Sequence, residues 1–121
     1  MNPEPVLRMR PPTPIILIHV LAYIGVAFWL SMIVTAVTTA SDTAVVVVVI
    51  GVVLGSAHVG ISVFTTRHSS AAIKAMWFVF VSDSFLAIFV DYRAAVLVLF
   101  TVVLIALTRT GAGKEWFNPA E

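Results

Sequence analysis

The sequence predicts an all-α, polytopic membrane protein: four transmembrane helices in two antiparallel hairpins, with the N- and C-termini both cytoplasmic. Three observations lead there. The 121 residues are 60% hydrophobic and only 11% charged, with a mean hydropathy of +1.07. A soluble domain is about a quarter charged, and a small domain leaves much of its surface exposed, so lipid rather than water suits this composition. The apolar residues also run continuously over whole segments, where a barrel strand would alternate apolar and polar over about ten residues. Finally, Lys and Arg gather in alternate loops, the asymmetry that orients membrane helices.

Residues 1–14 hold Pro3, Pro5, Pro11, Pro12 and Pro14 and read as an irregular cytoplasmic arm. Pro14 suits a first helical turn, where a missing N–H costs little. Span one, 15–39, has no formal charge, and span two, 43–66, has only His58 as an ionisable group. About 20 residues cross the hydrocarbon core, so both are long enough with some tilt. Ala40-Ser41-Asp42 is the polar turn between them. Span three, 73–90, contains Asp83; span four, 94–108, is short. Asp91-Tyr92-Arg93 joins these two so tightly that they form a hairpin with its turn in the headgroup layer. Residues 109–121 read as a polar cytoplasmic tail, with Trp116 and Phe117 suited to the membrane interface. Spans 15–108 thus form one four-helix transmembrane domain.

Four crossings place Arg8, Arg10, Arg67, Lys74, Arg109 and Lys114 on one side, and Arg93 with Asp42 and Asp91 on the other. Six cations against one assign the first side to the cytoplasm. Cleavage after Ala40 as a signal peptide is the competing reading, but signal cores run about 7 to 15 residues and this segment is longer. Residue 2 is Asn and there is no cysteine, so neither lipid-anchor signature is present. Without cysteine there is also no disulfide, thiolate metal site or Cys nucleophile. No basic cluster suits nucleic acid. The expected setting is the cytoplasmic (inner) membrane, with the bilayer, further copies or other membrane subunits as partners.

Asp83 is the first candidate for function. An ionisable group in mid-membrane should face the bundle interior or a water-filled cavity, and Ser82 and Ser84 flank it. It reads either as a proton or cation relay or as a protonated carboxyl joining two helices. On span two, Gly51, Gly55, His58 and Ser62 share one helical stripe at spacings of four, three and four. Gly51 and Gly55 form a GxxxG pattern, which lets backbones approach closely, so this is the packing face. His19 enters span one about a turn from the same end. A polar cluster of His19, His58 and Asp83, supported by Ser82 and Ser84, is therefore expected in the cytoplasmic half. Haem b held by His19 and His58 is an alternative, with glycines making room for the ring. No metal is expected, because zinc needs about four ligands. His68 reads as a solvated loop residue. With no nucleophile elbow or phosphate loop, no enzyme is expected.

In outline the chain resembles several four-span families. Small multidrug transporters are similar in length but carry a membrane glutamate in the first helix, where this chain has no carboxylate. Dual-topology fluoride channels do not fit the charge bias. Asp91-Tyr92 resembles an Asp-Tyr pair of succinate dehydrogenase anchors, yet lies in an outer turn without the surrounding pattern. The chain is similar to four-span phage holins in size, short loops, polar tail and lack of chemistry; that resemblance rests on architecture without a residue motif. Three functions follow as expectations: a self-associating, membrane-permeabilising (holin-like) protein; an accessory subunit of a larger respiratory or transport complex; or a small proton- or ion-coupled transporter using Asp83.

Overall fold

A computed structural model describes residues 11–39 and 42–118. Residues 1–10 of the arm, Ala40 and Ser41 of the first turn and residues 119–121 lie outside the described residues. Among the described residues five α-helices follow in order: α1 (Thr13–Thr39), α2 (Ala44–Thr66), α3 (Ala71–Phe89), α4 (Ala95–Thr108) and α5 (Gly111–Phe117). A 3-10 turn, Tyr92–Ala94, leads into α4. There is no strand among the described residues.

Helices α1, α2 and α3 are each long and apolar enough to cross a membrane. The fourth candidate, Tyr92–Thr108, passes only together with α5, to which it is bent by 78°. Its 17 residues cover about 25 Å at 1.5 Å per residue, slightly less than a hydrocarbon core. Each helix buries one narrow stripe and leaves the remaining apolar side chains outside. Val45 is 74% exposed, Ile88 73% and Phe89 70%. A helix apolar all round, with such residues on the outside of the fold, is suited to lipid contact.

The helices pack as a ring. The α1–α2 contact is the most extensive, followed by α2–α3 and α3–α4, and a thinner α1–α4 seam closes the bundle. One end carries the start of α1, both ends of the α2–α3 turn, the end of α4 and α5; it is called the terminal end below. The far end carries the α1–α2 and α3–α4 turns. Packing differs between them. Near the terminal end Ile15, Ile18, Ile61, Met76 and Val79 are fully buried. At the far end the helices leave a cavity of about 520 Å³.

The α2–α3 turn is built on His68, whose φ of 56° is left-handed. Its N–H donates to Thr65 O at 3.1 Å, and the Ser69 N–H donates to Phe64 O at 2.9 Å. These are the two bonds of a Schellman helix end, in which the left-handed place usually falls to glycine. The α3–α4 turn is held by Asp91, which accepts from the Arg93 N–H at 3.0 Å and from its guanidinium at 2.8 Å.

The tail departs from the sequence reading. Residues 111–117 form a helix that folds back across the bundle. Thr110 caps it by accepting from the Gly113 N–H at 3.0 Å. Trp116 Nε1–H donates to Thr65 O at 2.7 Å, and Phe117 is buried. A Cβ at Gly113 would run into the backbone of Leu107 and Thr108, so this close approach requires glycine. His68 departs as well: exposed though it is, its ring stacks on Trp116 at 3.9 Å and its Nδ1 lies 3.1 Å from Trp116 O.

Candidate functional site inside the bundle

Two seams of the ring carry the polar residues, and they lie on opposite sides. The first is α1–α2. Gly51 packs under Ile33, where a Cβ would meet the Ile33 side chain at 2.6 Å, and a Cβ at Gly55 would touch Trp29 at 3.6 Å. His58 is 6% exposed, and its ring lies directly on Gly25, so that a Cβ there would overlap the imidazole. The ring is fixed from behind by a 2.7 Å bond between Nδ1 and Leu54 O of its own helix. One turn nearer the terminal end, His19 Nδ1 and Ser62 Oγ are 2.8 Å apart, and Ser62 Oγ–H donates to the Tyr23 hydroxyl at 3.3 Å. The glycine stripe thus faces α1 of the same chain.

The second seam is α3–α4. Asp83 is 1% exposed and Thr101 likewise 1%. Thr101 Oγ1 lies 3.1 Å from Asp83 Oδ2 and 2.9 Å from Leu97 O. A threonine hydroxyl has one hydrogen, so it cannot donate to both acceptors fully. With Asp83 protonated, its O–H donates to Thr101, which donates onward to Leu97 O. With Asp83 ionised, the Thr101 hydrogen is drawn to the carboxylate instead. The proton on Asp83 therefore decides which bond α4 makes. Oδ1 of Asp83 is buried without a partner, as are Trp29 Nε1 and Thr65 Oγ1. No cation pairs with Asp83 among the described residues; the ion pair there is Arg93 with Asp91, both at the far-end surface.

The expected cluster of His19, His58 and Asp83 is therefore divided. The histidines belong to the α1–α2 seam and Asp83 to the α3–α4 seam, with no hydrogen bond between them. Ser82 and Ser84 are half-buried and make no hydrogen bond to Asp83. Similar depth along the bundle brought these residues to one level, but their rotational positions turned them to different neighbours. Both rings are bonded through Nδ1, His19 to Ser62 Oγ and His58 to Leu54 O, and the Nε2 edge of His58, through which it would ligate a haem, is packed against Gly25. No group of three or more His, Asp or Glu comes together among the described residues.

The far-end cavity lies next to the second seam. It is lined from all four helices, by Trp29 of α1, Ile50 of α2, Leu86 of α3 and Leu97 of α4 among others. Leu86 is one turn from Asp83 on α3, and Leu97 one turn from Thr101 on α4. The floor of the cavity is thus one helical turn from the buried carboxyl. At its rim, the guanidinium of Arg93 holds the Asp91 carboxyl below the usual carboxylate range through their hydrogen bonds. Sequence alone does not single out Thr101 or Trp29 in this region. A threonine or tryptophan in a membrane helix is too common to signal a partner. When the chain is compared with known proteins, no family model, curated sequence or solved structure matches it.

Proposed function

We propose that this chain is a small, non-enzymatic multi-pass membrane protein that moves protons or ions, with Asp83 as the group that takes up and releases the proton. The observation that carries the reading is the position of Asp83. It is fully buried, has one oxygen without a partner and sits one turn below a cavity reached from the far end. An ionisable group is expensive in mid-membrane and is placed there for a pathway or a relay more often than for packing. The Thr101 hydroxyl supplies a second arrangement that follows the proton. In this proposal Tyr92–Thr108 is the fourth span, and the terminal end faces the cytoplasm of the inner membrane, on the six-to-one cation bias. The test is proton flux into liposomes under an imposed potential. Flux that exceeds empty liposomes and is lost in Asp83→Asn supports the proposal; flux unchanged by that substitution removes it.

A second reading keeps the holin-like function, or the accessory subunit, on a different observation. Gly51, Gly55 and Ser62 face α1 internally, so they leave no stripe for a neighbour. Ser31, Thr35 and Thr38 do: they are exposed on α1 at spacings of four and three. Hydroxyls on a lipid-facing stripe bond well to another membrane helix. Abrupt cell death with release of cytoplasmic enzymes on expression supports permeabilisation. Harmless expression with a fixed set of co-purifying proteins supports the subunit.

A further inference from the structure

We propose that the terminal end is a docking surface for anionic phospholipid, where Arg67, Lys74, Arg109 and Lys114 form a collar that takes up headgroup phosphates lacking an amine of their own. The four cations come from four elements. Arg67 caps the end of α2, Lys74 lies in the first turn of α3, Arg109 caps the end of α4, and Lys114 belongs to α5. All four are exposed, and among the described residues none of them makes an ion pair. Glu115, also exposed, is the one acidic residue described at that end. At the far end the one described cation, Arg93, is already bonded to Asp91 at 2.8 Å.

Orientation in a membrane asks only for cations on one side, on loops or on a loose tail. The fold does more than that. Helix α5 is bent by 78° from the fourth candidate span, so it runs nearly parallel to the membrane plane when that span crosses it. Trp116 bonds to Thr65 and stacks on His68, the residues that bracket Arg67. Lys114, two residues from Trp116 on the same helix, is thereby held in one surface with Arg67. Trp116 and Phe117 are used up in these inward contacts, so α5 turns Lys114 and Glu115 outward and keeps no apolar anchor for acyl chains. Lys74 stands at the positive end of α3, where the helix dipole disfavours a cation, and no acidic residue shares that turn. What this surface can bind is negative charge, and clustered cations at the membrane surface attract anionic lipid. A choline or ethanolamine headgroup brings its own cation, which the collar repels. The inference rests on reading the helices as membrane spans, and it is independent of the role of Asp83.

The test places the full chain in phosphatidylcholine nanodiscs with a trace of spin-labelled phosphatidylglycerol or spin-labelled phosphatidylcholine. Electron paramagnetic resonance reads the share of each label held at the protein. Phosphatidylglycerol is expected to be enriched about threefold over phosphatidylcholine at low salt, and the enrichment is expected to vanish at high salt. The double variant Lys74→Gln/Lys114→Gln, which leaves Arg67 and Arg109 in place, should remove about half of the enrichment or more. Gly113→Ala keeps all four charges but displaces α5, and should lower the enrichment too; Gly60→Ala should leave it unchanged. Equal holding of the two lipids at low salt overturns the proposal. So does an enrichment that survives Gly113→Ala intact, which reduces the collar to diffuse charge. Displacement of phosphatidylglycerol by inorganic phosphate at constant ionic strength overturns it as well, because it assigns the surface to a soluble anion. If neither lipid is held at the protein, the helices do not span the bilayer, and the membrane reading falls with the proposal.

Discussion

At the level of single residues, Asp83 and His58 contrast. Both are polar groups inside an apolar bundle, and sequence singled out both because a titratable group is conspicuous in a membrane run. Their partners were not conspicuous. Thr101 and Gly25 are common in membrane helices, and the side of a helix they occupy depends on how the four helices are rotated against one another. His58 turned to α1 and Asp83 to α4, which is why depth alone gave a cluster that does not form. The His58 contact makes a direct prediction. A methyl group at Gly25 must displace a buried ring already bonded to Leu54. Gly25→Ala is expected to destabilise the bundle by about 1–3 kcal/mol, the usual range for overpacking, measured as a fall in the midpoint of thermal or denaturant unfolding in detergent. Gly60→Ala is the control, since its added Cβ comes no nearer than 3.7 Å to Phe64.

Among the elements, α5 is the one that sequence did not reveal. Two glycines in seven residues are poor helix formers, and the segment is polar enough to pass for a tail. Its order comes from tertiary contacts: the Thr110 cap, the Gly113 approach and the Trp116 bond to Thr65. The helices α1, α2 and α3 were readable as long apolar runs, because such runs in lipid leave the backbone no choice but to bond within a helix, while the fourth is long enough only together with α5. His68 joins the two cases. Its left-handed backbone costs about 1–2 kcal/mol, while the Trp116 stack contributes about 0.5–1.5 kcal/mol and its hydrogen bond about 1 kcal/mol. The terms nearly cancel, so His68→Gly should leave global stability almost unchanged but loosen the Trp116 end of α5. Trp116 fluorescence should then move to longer wavelength, and protease should cut after Arg109 or Lys114 more readily. Gly113→Ala should displace α5 as a whole, because its Cβ meets the Leu107 and Thr108 backbone, with a larger fluorescence change in the same direction. An unchanged Trp116 spectrum in both variants would mean that α5 is held by something else.

For the whole molecule, the packing gradient matters most. The terminal end is filled with buried Ile, Met and Val side chains, while the far end opens into a cavity shared by four helices. A sequence reading of hydropathy sees the two ends as equally apolar and gives no hint of this difference, because it depends on how far the helices splay. The orientation, by contrast, rests on charges that sequence displays openly. A reporter fused after Glu121 is expected to be active in the cytoplasm, and one inserted after Tyr92 outside it; the opposite pattern would reverse the side from which the cavity is reached. With the expected orientation, the cavity opens away from the cytoplasm and Asp83 lies between it and the sealed half of the bundle.

The measurement that bears most directly on the proposed role of Asp83 is carbodiimide labelling of the protein in flux-competent liposomes. Dicyclohexylcarbodiimide partitions into apolar surroundings and modifies carboxyls that carry a proton. The account predicts one modification per chain, located at Asp83 by mass spectrometry, with proton flux falling in proportion to the labelled fraction. Full labelling of Asp83 with undiminished flux, or flux lost while Asp83 remains unmodified, would contradict it.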